Sequence, residues 1–337
     1  MPGPVDTPIP TVLIVGAGLG GLMLGAILES TDISYHILER ATELRPLGSA
    51  IALSGNILPA FEQLGIYEEL RNASLPHIST DMVPAHKISM GKKVLRTKEN
   101  DNKVAVYCSD NTIYEYSVLV GADGVYSAVR QNMYKQLEED GNLPSRDKDA
   151  FSIGFITMVG ISHPPDPAKY PELNDDNRTH FRLVIGENND SVKSVDSMLK
   201  QFQDFPCGFG GTMKDIFDVT PRELICKVFL EEKLLPGAGQ GAVMAMKDAV
   251  VLANCIYNMR DESDKSINAA FNSYHRQRHR EADEIIKGSN IMTKIMFGHA
   301  SIEQTPNQLA PLVENRGLGY IIPQDGRKDA EKKSHSV

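Results

Sequence analysis

The sequence predicts an α/β fold, a parallel sheet flanked by helices, with a smaller β-rich domain inserted late in the chain. Three observations point there. An apolar run, Thr11 to Val15, meets the glycine-rich turn Gly16-Ala17-Gly18-Leu19-Gly20-Gly21, and an apolar helix pattern follows from Gly20 to Ser30. A second apolar run, Ser34 to Leu38, ends in the acid Glu39. Much later, Tyr116 to Val120 reads as another buried strand and runs straight into a second glycine turn, Gly121-Ala122-Asp123-Gly124. Strand, glycine turn, helix and spaced acid are the parts of a dinucleotide site. Gly16 allows the tight turn, Gly18 lets a pyrophosphate approach the backbone, and Gly21 lets the helix pack on the strand. The helix N-terminus offers N–H groups to the phosphates. Glu39 is placed to accept both hydroxyls of the adenosine ribose, with Arg40 beside it.

The remaining elements follow in order. Arg45 to Leu53 reads as a turn and a short extended piece, and Asn56 to Leu64 as a helix broken by Gly65. Val94 to Glu99 and Lys103 to Ser109 alternate like antiparallel strands around Asn100-Asp101-Asn102. Phe151 to Val159 and Arg182 to Ile185 look like strands of a second sheet, and Gly208-Phe209-Gly210-Gly211 like a turn within it. Ala242 to Asn258 is a helix. A longer one runs from Ile267 to about Met296, with a stripe of Phe271, Tyr274, Ile285, Met292 and Met296. The tail from Gln324 is rich in charge and serine, the composition of a disordered segment. These elements suggest a discontinuous nucleotide-binding domain over 1–150 and 236–300, a substrate domain over 151–235, and a partly disordered tail over 301–337.

Composition narrows the function. The 337 residues carry 41% hydrophobic and 23% charged residues, ordinary for a globular chain. A net charge of −9 argues against nucleic acid as a partner. Val12 to Leu28 is uncharged, but its glycines and its length weigh against a transmembrane span. Met1 to Pro10 has no Lys or Arg, so no signal peptide is expected. The four cysteines, Cys108, Cys207, Cys226 and Cys255, form no CxxC pair; they read as buried thiols in a reducing, cytoplasmic setting. His275 and His279 stand four apart on a helix, but Arg276, Arg278 and Arg280 surround them, so a solvated basic face is expected there and no metal site.

After the strand Tyr116 to Val120 the chain reads Asp123-Gly124-Val125-Tyr126-Ser127-Ala128-Val129-Arg130, and later Pro236-Gly237-Ala238-Gly239-Gln240-Gly241-Ala242 followed by Lys247-Asp248-Ala249. With the first glycine turn, these segments resemble the FAD-dependent monooxygenases of the aromatic-hydroxylase type, the para-hydroxybenzoate hydroxylase-like family. Asp123, Gly124, Ser127 and Arg130 match that family's Asp-Gly-x-x-Ser-x-x-Arg pattern at all four positions. The resemblance implies a Rossmann-like FAD domain of glutathione reductase type and NAD(P)H-dependent monooxygenation. One oxygen atom of O2 would go to an aromatic ring or alkene and the other to water. It places Asp123 and Arg130 beside the middle of the cofactor, and Gly239, Gly241 and Ala242 against the flavin ring. Ala52 and Ala242 become backbone contacts. No acid–base residue is nominated, because the substrate-facing sheet carries no recognisable pattern.

The chain departs from that pattern in two places. The family's Gly-Asp pair before the late glycine segment is missing: Val228 to Leu235 runs straight into Pro236, and Glu231 and Glu232 lack the glycine context. Between Leu75 and Lys92 the family's strand and arginine-led helix have no counterpart. Both suggest an internally shortened chain. They leave two alternatives beside the monooxygenase: an impaired or non-catalytic flavoprotein relic, and a flavin-dependent dehydrogenase.

Overall fold

The computed structural model describes residues 11–43, 53, 57–73, 85–100, 103–148, 155–171, 179–187, 194–207, 210–230 and 241–296. The first sheet is parallel, with strand order β3-β2-β1-β7, from β1 (Val12–Val15), β2 (Tyr35–Leu38), β3 (Ile88–Ser89) and β7 (Val118–Gly121). The unbroken apolar run of β1 is explained by its two covers. Val12 and Ile14 face a core shared with α1 (Leu19–Ser30), α2 (Leu58–Gln63) and α7 (Gly241–Tyr257). Leu13 and Val15 face a second core built with an antiparallel sheet, β4 (Val94–Asn100), β5 (Lys103–Cys108) and β6 (Ile113–Tyr116), and with α4 (Ala128–Glu139). All four β1 side chains are at most 4% exposed, so neither face has room for a polar residue.

The expected single strand over Tyr116 to Val120 is two strands in two sheets. The chain leaves the antiparallel sheet at Tyr116 and enters the parallel one at Val118. Buried Ser117 between them hydrogen-bonds to Glu262 at 2.9 Å, and its hydroxyl lies 3.3 Å from that of Thr11. A short helix, α3 (Tyr67–Ala73), follows the break at Gly65.

A third sheet is also antiparallel, ordered β10-β8-β9, from β8 (Phe155–Ser162), β9 (Thr179–Glu187) and β10 (Ile225–Leu230). Two helices that the sequence reading passed over, α5 (Val195–Phe202) and α6 (Met213–Asp218), pack on one face of it through Met198, Phe202, Ile216 and Phe217 against Met158 and Ile225. Gly210 and Gly211 form the expected turn, with φ of 97° and 66°.

α8 runs from Asp264 to Met296, three residues earlier than its apolar stripe suggests, and packs on α7. Two expectations change here. Phe271 is 36% exposed and outside the stripe, while Ile285 is buried. Arg278 is 4% exposed: it points into the α7–α8 interface, so the basic run is not wholly a solvated face. Among the described residues no helix is long and apolar enough to cross a membrane, and no cluster of His, Cys, Asp or Glu is placed to hold a metal. Cys108 and Cys255 are buried thiols, whereas Cys207 is half-exposed. The expectations for Arg45–Leu53, the tail and residues 231–240 fall wholly or mostly outside the described residues.

Candidate functional site

The site is built by register. β1 pairs in parallel with β2 on one side and β7 on the other, with Val15 opposite both Leu38 and Gly121. The turns after all three strands therefore meet at one carboxyl edge. Because the chain turns from β1 to β2 in one direction and returns to β7 in the other, a crevice opens at this point. Gly16 donates to Leu38 O at 2.8 Å, and Ala122 donates to Val15 O at 2.7 Å, so the first and second glycine turns lie against each other. Gly16 has φ of 107°, and a Cβ there would overlap the carbonyl of Ala122. Gly21 serves close approach: its Cβ would collide with the Gly16 carbonyl. Only glycine satisfies either position.

Gly18 is different. It is the N-cap of α1, with extended backbone (φ −77°), no side-chain cap, and open space where a Cβ would stand. No acid lies in the first turn of α1. The crevice beside it has a volume of about 520 Å³. It is lined by Gly16, Gly18, Leu38, Glu39 and Arg40 from the first βαβ unit and by Ala122, Asp123, Gly124 and Tyr126 from the second turn. Lys92 to Leu95 and the α4 residues Gln131 and Asn132 complete it.

The carboxylate of Glu39 ties the turn together. Oε2 accepts the Ala17 N–H at 2.7 Å and Oε1 the Ala41 N–H at 2.9 Å. Each oxygen keeps a second lone pair, so ribose hydroxyls remain acceptable donors. Asp123 caps α4 by accepting from Ala128 N at 2.6 Å, while its other oxygen, Oδ1, is buried with no partner among the described residues.

Two expectations are revised. Ser127 is buried and accepts the Arg130 N–H at 3.0 Å as the α4 N-cap, and the Arg130 guanidinium donates back to the Val125 carbonyl. Neither lines the crevice. The Ser127 hydroxyl and the Arg130 guanidinium both serve the start of α4. The crevice instead gains cations that the sequence reading missed, Lys92 and Lys93. The only signal was their place just before the β4 run, which became meaningful once β4 lay beside β2. Lys92 is held by Asp110 and, at 3.3 Å, by Thr112. That pairing raises the Lys92 ammonium and holds the Asp110 carboxyl well below the usual carboxylate range. Arg40 and Lys93 are exposed at the crevice.

The N-terminal part of α7 packs on α1. Gly20 in the first turn of α1 lies against α7: a Cβ there would stand 3.2 Å from the Ala245 carbonyl oxygen. Gly241 and Ala242 begin α7 one turn earlier, about 6 Å along the helix axis. Ala52 and Gly239 lie outside the described residues. The adenosine half of an FAD therefore has a fitting cradle here: open space at Gly18, uncapped amides at α1, and carboxylate acceptors at Glu39 and Asp123.

Fold and crevice together define a dinucleotide-binding α/β protein. Residues 10–99 match the family described as FAD binding domain. The chain is 25% identical over 372 aligned positions to the FAD-dependent monooxygenase terM of Tolypocladium album, covering 85% of this chain and 78% of that protein. It is likewise 25% identical over 421 positions to the FAD-dependent monooxygenase esdpE of Penicillium shearii, covering 97% and 84%. Its fold matches the crystal structure of Klebsiella pneumoniae HpxO complexed with FAD and uric acid, with a TM-score of 0.68 and 17% identity, covering 91% of this chain and 94% of that one. The chain is thus similar to FAD-dependent monooxygenases and carries an FAD-binding domain of Rossmann-like α/β build. An alignment of 421 positions against 337 residues must open gaps in this chain, so it is internally shortened relative to esdpE.

Proposed function

We propose that this chain binds FAD in the carboxyl-edge crevice and uses NAD(P)H and O2 to hydroxylate or epoxidise a small aromatic or alkene substrate. The observation that carries the reading is the pair Gly16 and Gly18: one is forced to be glycine by the fold, while the other faces open space beside an uncapped helix N-terminus. Bound FAD would supply the transfer of electrons from NAD(P)H and the activation of O2. The residues of this chain bind and orient it. The α1 amides and the Gly18 backbone take the diphosphate. Glu39 takes ribose hydroxyls, with Arg40 beside it, and Asp123 offers its unpartnered oxygen to a hydroxyl donor. Arg130 acts by holding the second turn in shape. Gly241 and Ala242 present the N-terminal end of α7 to the ring, where its dipole favours the negative charge of a reduced flavin. Gly239 and Ala52 would add backbone contacts. In this reading 1–150 and 236–300 form the FAD domain, and 151–235 covers the substrate and excludes water.

The impaired-flavoprotein alternative keeps one specific support, the absence of a Gly-Asp pair before Pro236. One purified sample separates the readings. A yellow protein that consumes NADPH and O2 with an aromatic or alkenyl compound supports the proposal. A colourless protein at saturating FAD refutes it in favour of the relic. A yellow protein indifferent to O2 but active with another electron acceptor refutes it in favour of a dehydrogenase.

A further inference from the structure

α7 is gripped from two sides near its N-terminus. On one side Ala245 rests on Gly20 of α1. On the other, the side chain of Arg278, 4% exposed, reaches across from α8 and uses three nitrogens at once. Nε donates to Asp248 Oδ1 at 2.6 Å, Nη1 to Glu281 Oε2, and Nη2 lies 3.4 Å from Met244 Sδ. Glu281 also pairs with Lys247, which is 2% exposed. Met244 and Asp248 are one and two turns into α7, on the face toward α8. A planar guanidinium that meets both turns fixes the rotation of the helix as well as its height, which a lysine ammonium, a single point charge, does not do.

We propose that Arg278 is a positioning residue for the flavin-facing end of α7, acting through Asp248 and Met244, with Lys247 and Glu281 holding the guanidinium in plane. The inference rests on the FAD reading above and goes beyond it, since none of these side chains lines the crevice. A brace that only joined α7 to α8 would need no fork and no contact with the first turn. The arrangement sets where the amides of Gly241 and Ala242 stand relative to the Gly16–Gly21 turn.

The test compares wild type, Arg278→Lys and Asp248→Asn with the exposed-face control Arg280→Ala, whose side chain is 84% exposed. FAD affinity is read by flavin fluorescence titration, the bound flavin by its visible spectrum, and the apoprotein by amide hydrogen exchange. Arg278→Lys, which keeps the charge and loses the fork, is expected to bind FAD at least tenfold more weakly and to shift the spectrum of what it binds. In the apoprotein it should raise exchange within Gly241–Asp248 more than elsewhere in α7. Arg280→Ala should match wild type. Should Arg278→Lys not fold, Asp248→Asn, which keeps size and an acceptor, is expected to show the same changes in smaller degree. A lowered melting temperature with unchanged affinity, spectrum and local exchange would overturn the proposal and leave a plain structural brace. Wild-type protein that takes up no FAD overturns the flavin reading and this proposal together, an outcome distinct from variants that behave like wild type.

Discussion

Replacing Gly18 by serine separates the cofactor site from the fold. Gly18 has φ of −77° and ψ of −180°, extended backbone open to any L-residue, and nothing stands within 4 Å of the Cβ a serine would add. It is also the N-cap of α1, with no side-chain cap, and serine is a preferred N-cap. The apoprotein should therefore be as stable as wild type, or more stable by a few tenths of a kcal/mol. The same side chain would fill the space proposed for the diphosphate and compete for the α1 amides. Losing one charge-assisted hydrogen bond costs about 1.5–3 kcal/mol, so FAD should bind about 10- to 150-fold more weakly. Urea unfolding of the apoprotein followed by circular dichroism gives the first quantity, and flavin fluorescence titration the second. Affinity within threefold of wild type, with stability intact, would show that the diphosphate does not sit at Gly18.

Gly16→Ala should do the reverse and damage the fold itself: a φ of 107° and overlap with the Ala122 carbonyl cost about 2 kcal/mol or more, read in the same urea melts of the apoprotein. Glu281→Gln leaves Lys247 and Arg278 sharing too little negative charge in the α7–α8 interface; because Glu281 is 25% exposed, the loss should fall near the low end of the roughly 3–5 kcal/mol range for a broken buried pair. His36, which lies 2.9 Å from Ser89 Oγ and stacks on Tyr114, is held below its ordinary pKa by burial and then by Lys87. The unfolded chain thus takes up its proton first: stability should fall as pH drops through about 6.5 and level off below the folded value. His36→Gln should flatten that part of a urea-midpoint profile between pH 7.5 and 5.5. The depressed carboxyls of Asp110 and Asp215 act only at lower pH.

What could be read from the residues was what local chemistry decides. The four apolar residues of β1 announce burial on both faces, and Gly16 and Gly21 announce positions where a Cβ has no place. The helices α5 and α6 were also written locally, in the capping boxes Ser194 to Ser197 and Thr212 to Asp215, and went unread because short helices leave little periodicity. The break at Ser117 was not legible. Tyr-Ser-Val-Leu-Val contains no Gly, Pro, Asn or Asp; where the chain changes sheets, the Ser117 hydroxyl meets Glu262, 145 residues away in sequence. Arg278 was hidden the same way. In sequence it is one arginine among three, and only the packing of α8 against α7 turns it toward Asp248 rather than to water.

The same division bears on what internal shortening can remove. The crevice around Gly18 is assembled from β1, β2, β4, β7 and α4, all within residues 12–132, and its three turns are joined by the Gly16, Ala122 and Glu39 hydrogen bonds. The end of the Leu75–Lys92 stretch, where the sequence departs from the hydroxylase pattern, takes part in this cradle: Glu39 N donates to Ser89 O at 2.9 Å, and Lys92 N donates to Glu39 O at 2.7 Å. The core beneath them is closed on one face by the antiparallel sheet and α4 and on the other by α1 and α7. A chain shortened within the Leu75–Lys92 stretch keeps the adenosine cradle as long as Ile88 to Lys92 stay paired beside β2. The end of α7 is where the two halves of the problem meet. Its first two turns meet Gly20 through Ala245 and Arg278 through Met244 and Asp248, the contacts on which the proposed bracing rests.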